Sequence, residues 1–205
     1  MRKNFYATAL LLFVIAALTA CTVTITPKNK NAGGGRFSEQ YAGYINSGAY
    51  YMKYTTDVQT GGQTIKTEVE AAVNGSDSAE RSGFYPERLG IYKGSISYIV
   101  DYKAKSVTYY LRPLVLESAS TFDFKGLAYM ETGSMSDNGR DYVYDEYAAD
   151  SGNHFRFCFD GDKLVGLQAL SGDTVTAAIT VLEFSDKIPS YMFTIPADFT
   201  QTRGD

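Results

Sequence analysis

The sequence predicts a mainly β domain (β-rich α+β) in which a curled antiparallel sheet of about ten strands forms a half-barrel with one or two short helices. Three observations carry this expectation. From Ala49 onward, apolar and polar residues alternate with a period of two over one run after another. Turn residues such as Asn74-Gly75, Asp160-Gly161-Asp162 and Ser171-Gly172-Asp173 separate those runs at a spacing of roughly ten residues. The 17 Tyr and 12 Phe, with no Trp, also suit strands, which favour aromatic residues.

A segment of a different kind precedes the sheet. Arg2 and Lys3 form a short basic start, and an uncharged run from Asn4 to Ala20 ends in Leu18-Thr19-Ala20-Cys21. A basic start, an apolar stretch and small residues before a cleavage point are the marks of a secretory signal peptide. Seventeen residues that include Tyr6 and two Thr fall short of the roughly 20 apolar residues of a membrane span. Small residues followed by Cys resemble the lipobox of bacterial lipoproteins. That resemblance implies diacylglyceryl transfer to the Cys21 thiol and cleavage in front of it. It places the mature chain outside the cytoplasm, anchored to a bacterial membrane through acylated Cys21. The expected organisation is therefore residues 1–20 as signal peptide, 21–35 as lipidated Cys and flexible tether, and 36–205 as a single half-barrel domain. The tether holds Pro27, a Lys28-Asn29-Lys30-Asn31 stretch and Gly33-Gly34-Gly35. A flexible coil of that length spans roughly 20 Å.

Composition narrows the functional classes. The leader holds two of the 19 basic residues and none of the 23 acidic ones, so the remainder carries 17 basic against 23 acidic residues, a formal charge of −6. An acidic chain without a Lys/Arg run offers nucleic acid no electrostatic footprint. With Cys21 consumed as the anchor, Cys158 stands alone, and the domain has to be held together by packing rather than by a disulfide.

Each element has its own signature. Phe37, Tyr41, Tyr44 and Ile45 recur at helical spacing within Arg36–Ser47, and Gly48 is a stop. In the first strand Tyr50, Met52, Tyr54 and Val58 alternate with Tyr51, Lys53, Thr55 and Asp57. After Gly61-Gly62, the run Ile65, Thr67, Val69, Ala71 and Val73 alternates with Lys66, Glu68 and Glu70, as in a sheet wet on one side. Asn74-Gly75 supplies a hairpin turn to a weaker strand over 77–84, which Tyr85-Pro86 breaks. Short strands follow at 89–92, 95–101 and 106–112. Leu114–Lys125 has no clean period and reads as a helix or a long crossing loop. Strands resume at 127–135, 140–147, 154–160, 163–170 and 174–184, with Phe155, Phe157 and Phe159 sharing one face of the most apolar of them.

Catalytic signatures are scarce. The chain holds no G-x-S-x-G, no G-x-G-x-x-G and no phosphate loop, and its single histidine, His154, reads as a surface residue. Asp160 and Asp162 flank a Gly, and Asp141, Asp145, Glu146 and Asp150 fall within ten residues, but the offsets of a calcium loop are missing. Cys158, between Phe157 and Phe159, reads as a structural thiol. The expectation is a protein that is not an enzyme, with no catalytic residues, no metal site and no cofactor.

The strongest positive signal is aromatic and apolar. One face of the first two strands presents Tyr50, Met52, Tyr54, Val69 and Ala71, and Phe155, Phe157 and Phe159 supply another part of the wall or the core beneath it. So many apolar strand faces with so few helices to cover them favour a concavity for a lipid or other apolar ligand. The alternative is an envelope structural module whose flat apolar face pairs with a protein partner.

The order of motifs strengthens the first reading. The lipobox and Gly tether are followed by Gly48-Ala49-Tyr50-Tyr51-Met52-Lys53-Tyr54 and two long hairpin strands. Next come Ile91-Tyr92-Lys93-Gly94 with Tyr98-Ile99-Val100-Asp101. Phe157-Cys158-Phe159-Asp160-Gly161-Asp162-Lys163-Leu164 and Phe193-Thr194-Ile195-Pro196-Ala197-Asp198-Phe199 complete the series. This order resembles the superfamily of lipoprotein carriers and lipoprotein insertases of the cell envelope and the anchored lipid-binding lipoproteins of similar build. The resemblance implies an unclosed β half-barrel whose concave apolar face is covered by helices and holds acyl chains. It carries over no catalytic residues.

Overall fold

The computed structural model describes residues 37–60, 63–111, 124, 126–137 and 139–204. The leader, Cys21, the tether, the Gly61-Gly62 turn and, apart from Phe124, the 114–125 stretch lie outside the described residues.

The expected helix is α1, Glu39–Ser47, which buries Ala42 and Ile45. Gly48 ends it in the left-handed region at φ 70°, a conformation that glycine adopts without strain, and its N–H donates to the Ile45 carbonyl. The chain then runs straight into the sheet. Its first half is β1 Ala49–Thr60, β2 Gln63–Asn74, β3 Asp77–Ser82, β4 Arg88–Lys93, β5 Ile96–Asp101 and β6 Ser106–Tyr110. The second half is β7 Ala128–Asp137, β8 Arg140–Ala148, β9 His154–Asp160, β10 Lys163–Ser171 and β11 Thr174–Ser185, and the last described strand is β12 Thr200–Arg203.

The twelve strands of the described residues lie in one sheet, in the order β12-β6-β5-β4-β3-β2-β1-β11-β10-β9-β8-β7. Two antiparallel meanders, β1 to β6 and β7 to β11, are thus joined where β1 pairs with β11. Because β7 and β12 form the two edges, the sheet stays open, as a half-barrel does. The turns read from the sequence fall where hairpins occur: Asn74 pairs with Asp77, Asp160 with Lys163 and Ser171 with Thr174.

The eleven runs read from the sequence correspond to β1 to β11, in keeping with a sheet of about ten strands, and the described residues add a twelfth. The unforeseen β12 is exposed at every position and runs parallel to β6. No periodicity of its own could announce it, because backbone pairing with the β6 edge makes it a strand. The strands over 77–84 and 106–112 end early, at Ser82 and Tyr110.

The sheet buries apolar residues on both faces. On the helix face, Ala42 and Ile45 of α1 share one cluster with Met52, Tyr54, Val69 and residues of β9 to β11. On the opposite face Tyr51, Ala72, Ala79, Leu89, Ile91, Val100 and Val107 surround Met192. Met192 belongs to the 3-10 turn Ser190–Phe193 within the segment between β11 and β12, which crosses this face as a strap. The expected wet face of β2 is therefore wet only in part. Glu68 and Glu70 hold Lys53 in ion pairs at 2.8 and 3.8 Å, while Ala72 on the same face lies under the strap.

Candidate ligand-binding face

The eight residues expected to line a ligand site all fall on the helix face, within one cluster. Register explains their convergence. Tyr50, Met52 and Tyr54 pair with Val73, Ala71 and Val69, so these six side chains leave the sheet on the same side. Phe155, Phe157 and Phe159 pair with Ala169, Leu167 and Leu164, and β11 bridges the two groups with Ile179 and Val181.

The members differ in depth. Phe155, Phe157 and Phe159 are at most 1% exposed and form the floor. Met52 and Val69 at 5% and Tyr54 at 9% lie at the next level, and Tyr50 and Ala71 are half-buried at the margin. Over them, the Tyr41 ring lies 5.3 Å from Phe184 and 6.2 Å from Phe159, centroid to centroid. Tyr50 meets Phe184 at 5.7 Å, and Phe124 covers Phe155 at 4.9 Å. Such tilted and edge-on pairs add to what burial alone contributes.

A polar knot closes one side of this cluster. Asp145 is fully buried on the helix face of β8. One carboxylate oxygen accepts the Ser38 N–H at 2.9 Å and the Ser38 hydroxyl at 2.7 Å, and the other accepts the Thr132 hydroxyl. The Ser38 hydroxyl also meets the Tyr147 phenol at 2.8 Å. The residue before α1 is thereby tied to β8 across the apolar face. Asp145 was legible in the sequence only as one of several clustered acids. Strand alternation separates that cluster, sending Asp145 to the helix face and Glu146 to the other. No group of three or more His, Cys, Asp or Glu disposed to hold a metal occurs among the described residues.

Behind the floor, on the opposite face, Arg156 is buried with its Nε 2.7 Å from Glu146 and its guanidinium 4.5 Å from the Tyr144 ring centroid. His154, only partly exposed, reaches the other Glu146 oxygen at 3.0 Å. Cys158 lies beside Tyr144, and burial pushes its thiol up to about 12, away from nucleophilic chemistry.

Beyond Ala71 the helix face turns polar. Ala71 pairs with Glu80, Glu80 with Gly90 and Ser78 with Tyr92, which brings a carboxylate, a hydroxyl and a phenol to the border of the apolar cluster. Burial raises the Tyr54 and Tyr92 phenols above their ordinary range, and the Glu80 charge adds to the rise in both. Neither Glu80 nor Tyr92 stood out in the sequence, since their importance depends on which strands become neighbours.

No family model and no curated protein matches this sequence. Among solved structures, the chain is similar to an uncharacterized conserved protein from Thermus thermophilus, with 9% identity and a TM-score of 0.42 over 80% of this chain and 96% of that one. It is also similar to a DUF1329 family protein from Desulfovibrio piger, with 12% identity and a TM-score of 0.32 over 77% of this chain and 94% of that one.

Proposed function

We propose that this chain is a membrane-anchored extracytoplasmic lipoprotein, not an enzyme, which binds or carries a lipid or other apolar ligand on the helix face of its open sheet. One observation supports the reading above the rest. Tyr50, Met52, Tyr54, Val69 and Ala71, far from β9 in sequence, join Phe155, Phe157 and Phe159 in one apolar surface whose described cover is a single nine-residue helix with a few flanking side chains. A short amphipathic cover over a wide apolar face is a natural arrangement for admitting acyl chains. Residues 1–21 support the anchoring half of the reading, with Cys21 as the lipid attachment point and the membrane as the partner.

Lipids extracted from the purified mature protein and identified by mass spectrometry test the ligand directly. Val69→Glu places a charge among Tyr54, Met52 and Ile179 and is expected to abolish uptake of a fluorescent fatty-acyl probe. A wild-type protein that takes up no such probe and yields no lipid overturns the reading. The full burial of the three β9 phenylalanines favours a second reading, a filled core in an envelope protein-interaction module. That module would copurify with a protein partner and carry no lipid.

A further inference from the structure

The two meanders part company at one end of the sheet. β1 and β11 pair from Tyr51 with Ser185 to Thr55 with Thr180, although both strands continue beyond that point. From there β1 pairs only with β2, up to Thr60 with Gln63, and β11 only with β10, up to Thr174 with Ser171. The sheet therefore forks, with an arm of β1 and β2 on one side and the hairpin of β10 and β11 on the other. Just before the fork the register shifts between Lys53 and Tyr54, which leaves Leu182 without a partner on β1 and 47% exposed. A bulge of this kind adds local twist and ends pairing.

The fork presents an edge that the rest of the sheet avoids. Residues 174–179, Thr-Val-Thr-Ala-Ala-Ile, border it without a charge or a proline. Such edges recruit further strands, and native sheets blunt them with charge, proline, shortness or a cover. The two outer edges follow that rule. β12 is short and carries Arg203, and β7 carries Glu131, Asp137 and a register shift of its own. On the helix face the fork is walled by Val58, Ala177 and Ile179, and on the opposite face by the exposed Ala178 and Thr180. A strand that fits here is uncharged, apolar on the helix side and small and polar on the other.

Thr22-Val23-Thr24-Ile25-Thr26, which lies outside the described residues, has this pattern in its sequence. Two β-branched apolar residues alternate with threonines, and Pro27 ends the run. We propose that residues 22–26 add to the sheet in the fork, with Val23 and Ile25 toward Val58, Ala177 and Ile179, and so hold Cys21 at this end of the domain. The connecting residues 27–36 can span roughly 30 Å. The path is shorter than that. Phe37 lies 5.7 Å from Phe159, ring to ring, while Ala177 pairs with Ala169 and Ala169 with Phe155. The fork is thus about four residues along and two strands across from Phe37, roughly 20 Å.

Covalent connection favours this occupant over a second copy. A short linker gives the segment an effective concentration of about a millimolar, enough to populate a weak strand addition. The same short strand offered by another molecule buries less than the roughly 1,000 Å² of a specific interface. The docking itself needs only the sequence of residues 22–26. Its consequence, that acyl chains on Cys21 turn the fork end of the domain toward the membrane, rests on the anchoring reading above.

The test reads amide hydrogen exchange in the whole mature chain with Cys21→Ser. The amides of 174–179 that point into the fork are expected to exchange about tenfold or more slowly than in the same chain with Val23→Pro and Ile25→Pro, which removes two backbone donors. The amides of β9 are expected to exchange alike in both, which shows that the domain is folded in each. Equal exchange across 174–179 in the two chains overturns the inference and leaves the lipid-binding and anchoring readings standing, since extracted lipid and palmitate label test those separately. Protection that rises with protein concentration, together with a dimer mass by light scattering, assigns the strand to a second copy and overturns it as well.

Discussion

Asp145 shows how one buried carboxylate organises its surroundings. It is held by hydrogen bonds from Ser38 and Thr132, and those donors would be orphaned without it. Leaving buried donors unsatisfied costs more than the bonds themselves contribute, so Asp145→Ala is expected to lower stability by about 3 kcal/mol. Urea unfolding measures this, and a loss below about 1 kcal/mol would mean that water replaces the carboxylate. Cys158 makes the opposite point about reactivity. Burial favours the neutral thiol, so at pH 8, well below a value of about 12, almost none is thiolate. A disulfide reagent such as DTNB is expected to leave native protein unlabelled at that pH and to label one thiol per domain once the domain is unfolded. Rapid labelling of native protein would place Cys158 in a different environment.

Among the elements, the strap between β11 and β12 carries a load that its short turn does not advertise. Met192 is completely buried among Leu89, Ile91, Val100 and Val107. The segment is tied down by Lys93, which donates to the Phe193 carbonyl at 3.0 Å, and by Tyr191, whose hydroxyl donates to Glu70 at 3.2 Å. Met192→Ala is expected to cost about 3 kcal/mol by creating a cavity under the strap, read as a fall in thermal midpoint. Tyr191→Phe removes the exposed hydrogen bond to Glu70 and the phenol's contact with Tyr51, and is expected to cost about 1 kcal/mol. Equal effects of the two changes would show that the strap is held at its rim and not through Met192. The helix has a different dependence. Ser38 and Gly48 fix its two ends, one through Asp145 and the other through a left-handed turn directly into β1.

At the scale of the whole molecule, β1 is the spine. Its even-numbered residues Met52 and Tyr54 belong to the helix-face cluster and Tyr51 to the strap-face cluster. Its pairing with β11 also joins the two meanders. An open sheet buried on both faces in different places gives one protein a packed half beneath the strap and a candidate binding half beneath the helix. The proposed anchoring also belongs to the scale of the whole chain. Cys21→Ser is expected to leave the protein unprocessed and without label from radioactive palmitate, and equal labelling of wild type and variant would remove the lipid anchor from the proposal. Buried apolar carbon contributes about 0.8 kcal/mol per methylene, so two or more acyl chains hold a domain stably where one does not.

What the sequence determined by itself is local. Period-two alternation located eleven of the strands, Gly and Asp marked the hairpins, and the spacing of Tyr41, Tyr44 and Ile45 marked the helix, because each of these signals resides in residues adjacent along the chain. The convergence of Tyr50, Met52, Tyr54, Val69 and Ala71 was legible for the same reason, since β1 and β2 form a hairpin and their shared face follows from the turn. Tertiary structure alone decided what depends on distant partners. It placed β12 beside β6, laid the strap over a face that reads as wet, and matched Ser38 to Asp145 across 107 residues. It also set Glu80 against Ala71 and so put a charge at the rim of the apolar wall. Alternation says which side of its own strand a residue leaves from, but it does not say which strand lies next to it or what covers that side. Those are settled only when the apolar faces of the whole chain bury one another.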